Sequence, residues 1–407
     1  MKILVINTGS SSIKYKLFDM DVGSVMASGL VEKIGEGHSR LVHKLHQSGT
    51  DPITSTQREF VPDHETGLNL IVHSLTHHEE GAIGNVSEIS AVGHRVVHGG
   101  EAFNDSVVIN GKVMGRIEEN IRLAPLHNPA NLKGISVAQA MFSNVPHVAV
   151  FDTAFHQTIP KKAFLYALPY RFYETNSIRR YGFHGTSHAY VARQTAVFLK
   201  RSLDAVNLIT VHLGNGASMT AIREGKSVDT TMGMTPLEGL VMGTRCGDLD
   251  PAVPLYLAGQ LQLSVEQVED ILNRQSGLKG LCGTNDMREV VRLAESGDQA
   301  AASAIDVYTY RVKKYIGAFT AVLETVHALI FTGGIGENAP DIRRRCCEGL
   351  GALGIELDMT KNERGDGGIT QISREASQIP ILVVPTDEEL QIAHETLRIV
   401  TGGRTSV

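Results

Sequence analysis

The chain has 407 residues, 42% hydrophobic and 20% charged, with a net charge of −6. That length holds two ordinary domains with ample core. The acidic balance, without any lysine/arginine block, argues against nucleic-acid binding, and no apolar run approaches the roughly 18–20 residues that span a bilayer.

In chain order, the apolar run 3–6 predicts a buried strand, and a glycine turn leads from it to a second strand at 15–18. The polar stretch 35–56 is expected to hold hairpin strands and loops. Residues 64–77 carry Leu68, Leu70, Ile71, Val72 and Leu75, an amphipathic helix pattern. A strand over 91–97 ends at His98-Gly99-Gly100, and Asn128 is the expected cap of a helix with Pro129 at its first position, running to Met141. Residues 147–151 make a strand whose end presents Asp152. The second half repeats the scheme, with strands at 207–213 and 219–223 around another glycine turn. Helices are expected at 251–261, 265–274 and 287–294, and a long one over 300–323. Strands follow at 328–331 and 381–384, and a last helix runs from Glu388 towards Val400. Strands alternating with long helices predict an α/β fold with mixed sheets. The domain boundary is placed after Asp152. The last helix is expected to pack back on the first domain, so that the domains are 1–152 plus 388–407, and 153–387.

Three glycine-rich turns carry the functional signal: Asn7-Thr8-Gly9-Ser10-Ser11-Ser12, His212-Leu213-Gly214-Asn215-Gly216, and Gly333-Gly334-Ile335-Gly336-Glu337-Asn338. Glycine lets the main chain come close, and bare N–H groups suit phosphate oxygens. Three such turns suggest a nucleotide held between two related halves. The P-loop, the dinucleotide fingerprint, the nucleophile elbow and the H-E-x-x-H motif are all missing from the sequence. His184 and His188 stand four apart, as metal ligands on one helix face do, but Gly185 between them argues against a helix there. Lys14 either neutralises phosphate or is a solvated strand lysine. Arg95 lies in a β-branched run, where a half-buried guanidinium must meet an anion, either a substrate or a structural carboxylate. Arg245 sits between glycines on an expected tight loop, able to clamp an oxyanion. Glu388 either serves the site or complements the dipole of the helix that it starts.

At these residues the chain resembles the acetate kinases, of the sugar-kinase/heat-shock-protein-70/actin superfamily. The resembling segments are 7–14, 93–100, 181–188, 212–218, 243–245, 331–338 and 385–389, in family order and over nearly the whole chain. The resemblance implies two actin-like (ribonuclease H-like) domains with a nucleotide cleft between them, and a homodimer. It implies nucleotide contacts by Lys14, by His212, Leu213, Gly214, Asn215 and Gly216, by Asp286, Met287 and Arg288, and by Gly334, Ile335, Gly336, Glu337 and Asn338. Met287 stands where many relatives have phenylalanine. It implies a magnesium site at Asn7 and Glu388, with manganese as the alternative ion. Arg95, Asp152, His184 and Arg245 carry over as the catalytic group. Val97, Leu126, Phe183 and Pro236, with Arg95, carry over as the acyl site.

The expected reaction is reversible transfer of the ATP γ-phosphoryl group to acetate, giving acetyl phosphate and ADP. Propionate and butyrate kinases of the family are the near alternatives, and an ATPase switch of the heat-shock-protein-70 or actin type is a more distant one. A sugar kinase would need hydroxyl-binding residues where Val97, Leu126 and Phe183 stand. Cys246, Cys282, Cys346 and Cys347 have neither zinc nor disulfide spacing and are expected as thiols in a reducing cytosol. The first residues have too short an apolar run for a signal peptide, so the expected place is the cytoplasm.

Overall fold

In a computed structural model, which describes residues 1–403 apart from 48, 80 and 366, the apolar run near the start becomes an inner strand of an eight-stranded sheet. The chain divides into two units, Met1–Ala154 with Asp387–Val407, and Phe155–Thr386.

The first unit contains β1 (Lys2–Thr8), β2 (Ser12–Asp19), β3 (Ser24–Glu32), β4 (Ser39–Leu45), β5 (Ile53–Glu59), β6 (Ile89–Val96), β7 (Val107–Val108) and β8 (His147–Phe151). Their order is β5-β4-β3-β2-β1-β6-β8-β7. β1 is antiparallel to β2 and parallel to β6, and β6 is parallel to β8. Side chains alternate across a strand, so β1 feeds two cores. Leu4 and Ile6 join Tyr15 and Leu17 against Leu68, Ile71 and Leu75 of the helix His64–Thr76. Ile3 and Val5 join Ala91 and Val148 against Ile392 and Ala393 of the terminal helix Glu388–Val400. Covering both faces is why β1 reads as a continuous apolar run. A Cβ on Gly93 of β6 would collide with Thr396 and Ile392, so glycine there sets how closely the terminal helix lies on the sheet.

Asn128 is not the cap that its position suggests. The helix Asn128–Met141 is capped at His127, and Asn128 is already its first residue. Its amide accepts from the His98 N–H at 3.2 Å and donates to the His98 and Ile117 carbonyls at 3.0 and 3.2 Å. Tertiary partners have taken the side chain that a cap would use.

The second unit repeats the pattern with β9 (Asn207–Leu213), β10 (Ala217–Arg223), β11 (Lys226–Thr230), β12 (Ala328–Thr332), β13 (Thr370–Gln371) and β14 (Ile381–Val383), in the order β11-β10-β9-β12-β14-β13. β9 is antiparallel to β10 and parallel to β12, as β1 is to β2 and β6. The α/β fold with a mixed sheet in each half is therefore as expected. The helix Gly185–Phe198 packs Val191, Ala192 and Ala196 on Leu208, Ala328 and Ile330. Gly185 does not prevent this helix; it starts it. At the first position it lies at the edge of the helix rather than in the interior, where a glycine's freedom costs most, and His184 before it turns with φ 56°. Among the described residues no helix is long and apolar enough to cross a membrane.

Candidate active site

In the first unit, Arg95 on β6 and Asp152 just after β8 lie on neighbouring parallel strands. Asp152 is 1% exposed, and its two oxygens accept from Arg95 Nε at 3.1 and 3.0 Å and from Nη2 at 2.7 Å. Arg95 Nη1 lies 3.8 Å from Glu388 Oε2, at the start of the terminal helix. Burial works against the Arg95 charge, but Asp152 and then Glu388 outweigh it and raise the pKa above its ordinary value. The cap of that helix is Asp387, whose Oδ1 accepts from the Leu390 N–H at 2.9 Å, so Glu388 is not spent as a cap.

Asn7 lies at the end of β1 opposite Lys14 on β2. Lys14 Nζ is 2.5 Å from Glu389 Oε1. Lys16 lies 2.9 Å from Asp387 and 3.5 Å from Glu389. Burial pushes the Glu389 carboxyl up, yet Lys14 and Lys16 hold it below its usual value. Lys16 escaped sequence reading, and Asp387 and Glu389 stood in the segment 385–389 without a role of their own. The signal was there: Lys14 and Lys16 share a strand face, and three consecutive acids start the last helix. Asn131 accepts from the Val97 N–H at 3.1 Å and donates to the Thr8 carbonyl at 2.8 Å, tying the first glycine turn to the end of β6. Val97 is half-buried beside it, whereas Leu126 is 43% exposed.

Asn7 and Glu388 offer hard oxygen donors, the chemistry that suits magnesium. Among the described residues no three His, Cys, Asp or Glu side chains gather as a metal site. An ion there would draw most of its shell from water and phosphate, as magnesium commonly does.

In the second unit, Gly214, Asn215, Asp286, Met287, Arg288, Gly334, Ile335 and Asn338 line one cavity of ≈ 960 Å³. Asn285, Val291 and Pro340 line it too, and sequence reading missed them. The size and the mixed lining suit a nucleoside phosphate. Asn285 donates to the Asn215 side chain at 3.0 Å, holding the turn after β9. Asp286 caps the helix Met287–Glu295 and binds the Arg288 side chain, which brings its pKa down to about 2. Glu337 turns to its own backbone, accepting from the Gly333 and Thr386 N–H groups at 2.9 and 3.1 Å. Leu213 is buried in β9, and Gly336 is buried within the helix Gly333–Asn338.

His184 and His212 stack with ring centres 4.5 Å apart. Ser187 Oγ lies 2.8 Å from His212 Nδ1, and Ser218 Oγ lies 2.9 Å from His184 Nδ1. Arg245 Nη1 donates to the Pro236 carbonyl at 3.2 Å, and burial lowers the Arg245 pKa. A Cβ on Gly216 would sit 3.3 Å from His184 Nε2 and 3.5 Å from Arg245 Nη1. The two donors thus converge on the turn after β9. The Arg245 loop is pinned by Asp248, which accepts from the Gly239 N–H at 2.9 Å and from the Tyr315 hydroxyl at 2.8 Å. Phe183 is 2% exposed and Pro236 is half-buried.

The acetokinase family model matches residues 2–394. The acetate kinase of Halothermothrix orenii is 51% identical over 401 residues, spanning 98% of this chain and 100% of that protein. The crystal structure of Porphyromonas gingivalis acetate kinase superposes with a TM-score of 0.92 at 43% identity, over 98% of this chain and 99% of that one. A propionate kinase from Francisella tularensis superposes with a TM-score of 0.90 at 42% identity, over 98% and 99%. Matched along nearly its whole length, the chain belongs to the acetokinase family.

Proposed function

We propose that this protein transfers the γ-phosphoryl group of ATP to acetate, reversibly, giving acetyl phosphate and ADP. The observation that carries the reading is the convergence of His184 Nε2 and Arg245 Nη1 over Gly216, in the unit that holds the nucleotide-sized cavity. The acyl acceptor follows from acetate kinase relatives alike over their full length.

Acetate is ionised at neutral pH, so its oxygen needs no general base. Alignment and charge stabilisation remain, and these dominate phosphoryl transfer. Arg95 holds the acetate carboxylate. Asp152 orients Arg95, since both of its oxygens accept from that guanidinium. Arg245 and His184 stabilise the equatorial oxygens of the transferring group. Asn7 and Glu388 would hold magnesium, or manganese, which neutralises phosphate charge when bound. Lys14 reaches phosphate only by leaving or sharing Glu389.

Val97, Leu126, Phe183 and Pro236 remain the proposed acyl contacts. Propionate is the second reading, because the F. tularensis propionate kinase is nearly as similar in fold as the P. gingivalis acetate kinase. The protein is proposed to act in the cytoplasm as a homodimer. Support for the dimer is the helix Ala252–Gly259, whose apolar residues include none that are buried in the chain. The deciding experiment is an initial-rate series over formate, acetate, propionate and butyrate with ATP and magnesium. Acetate should give the highest kcat/KM. A higher value for propionate moves the protein to the second reading, and ATP turnover independent of carboxylate removes both.

A further inference from the structure

Behind His184 runs a buried relay that the reaction as described does not use. Ser218 on β10 places its Oγ 2.9 Å from His184 Nδ1 and 2.8 Å from His188 Nε2. His188 Nδ1 lies 2.7 Å from Thr210 Oγ1, and that hydroxyl reaches the Thr220 carbonyl at 3.4 Å. Ser218, His188 and Thr210 are all 0% exposed, so the protons must be shared among these groups. A hydroxyl has one proton to give. The Thr220 carbonyl, 3.4 Å from Thr210 Oγ1, only accepts; with that contact taken as the outlet of the relay, Thr210 donates to Thr220. His188 Nδ1–H then donates to Thr210, leaving Nε2 as an acceptor for Ser218. Ser218 has spent its proton on His188 and can only accept from His184.

We propose that Ser218, backed by His188 and Thr210, is a positioning residue that keeps the neutral His184 ring protonated at Nδ1. It rests on the proposed function for what the ring acts upon. In that tautomer Nε2, the atom over Gly216, carries a proton only when the ring is the imidazolium. His184 therefore donates to a phosphoryl oxygen as a cation. The titratable and charged groups that face it are His212 on β9, His188 on its own helix, and Arg245 across Gly216; His156 packs edge-on against His188. A cationic His184 stacked on His212 requires His212 to stay neutral. Its Nδ1 bond to Ser187 Oγ is compatible with that.

The test reads the tautomer directly, by ¹⁵N shifts of histidine-labelled whole protein, with His184→Gln assigning the signal. At pH above the His184 pKa, wild type should show Nδ1–H at His184. An Nε2–H signal there reverses the relay and overturns the proposal. The kinetic arm compares kcat against pH. In wild type, kcat should fall about tenfold per pH unit above the His184 pKa. Ser218→Ala should flatten that alkaline limb by letting the neutral ring carry Nε2–H. An alkaline limb in Ser218→Ala as steep as in wild type counts against Ser218. The wild-type spectrum decides even where the variant fails to fold. If no carboxylate is phosphorylated, the proposed function fails while the tautomer is still read from the spectrum.

Discussion

Arg95 and Asp152 illustrate how much one pair of side chains carries. A carboxylate that is 1% exposed is tolerable only with its cation in place. Arg95→Ala therefore does two things. It removes the donor proposed to hold acetate, which should lower kcat by about 10²–10³. It also strands Asp152, and breaking a buried pair from one side costs about 3–5 kcal/mol. The two losses separate in the double variant Arg95→Ala/Asp152→Ala, which should regain much of the thermal stability and none of the rate. Calorimetry and initial rates on the three variants check this. A double variant no more stable than Arg95→Ala would mean that the carboxylate is not stranded. Asp152→Asn is the gentler probe. It keeps the shape, weakens the orientation of Arg95, and should raise KM for acetate more than KM for ATP.

At the level of elements, most of the long strands and helices were legible because their apolar periods are strong, and their boundaries mostly fell within a residue or two, but β3, β11 and the helices Gly111–Glu119 and Gly185–Phe198 were not named. Elements without a period were not. The two-residue strands β7 and β13 have no room for a pattern. Asn128 has the chemistry of a cap, but its partners lie thirty and eleven residues away on His98 and Ile117. Asp248 pinning the Arg245 loop through Tyr315 is equally long-range, as is Ser218 between two histidines. Residues of the candidate site were named where they stood on a glycine-rich segment, a strand end or a helix start, and missed where only a distant partner gives them a part, as with Lys16 against Asp387. The contact between β6 and the terminal helix gives a prediction at this scale. Gly93→Ala inserts a methyl where Thr396 and Ile392 already sit. Overpacking of this kind costs about 1–3 kcal/mol, or roughly 2–4 °C of Tm per kcal/mol for a unit of this size. The helix must lift, and Glu388 at its start must move with it. Magnesium needed for half-maximal rate should rise in Gly93→Ala together with the loss of Tm. A loss of Tm alone would detach Glu388 from the ion.

Across the whole molecule, each unit carries its own buried neutral histidines: His94 and His147 in the first, His156 and His188 in the second. Burial depresses all four, His156 to about 4. The unfolded chain takes up these protons near pH 6.5 and the folded chain does not. The contribution is thus complete above about pH 6.5 and is lost as pH falls, at about 2 kcal/mol per fully suppressed histidine by pH 5. Urea midpoints at pH 7.5 and 5 should differ accordingly, and equal midpoints would show that the histidines charge within the fold. Assembly is the other property of the whole molecule. A helix that is apolar all round is ordinarily a buried one. Ala252–Gly259 is apolar all round, yet Leu255 is 75% and Tyr256 59% exposed, and Leu261 and Val265 beyond it are 54% and 74% exposed. A stable interface needs about 800 Å² per partner, and central aromatic anchors dominate its energy. Tyr256 is the anchor that this face offers. Sedimentation should give wild type a mass twice that of the 44.0 kDa chain. Leu255→Asp with Tyr256→Asp should give a single chain's mass at micromolar concentration, because two carboxylates would have to be buried on each side. A wild type of one chain's mass removes the homodimer. A variant that still pairs keeps the dimer and moves its interface off this helix.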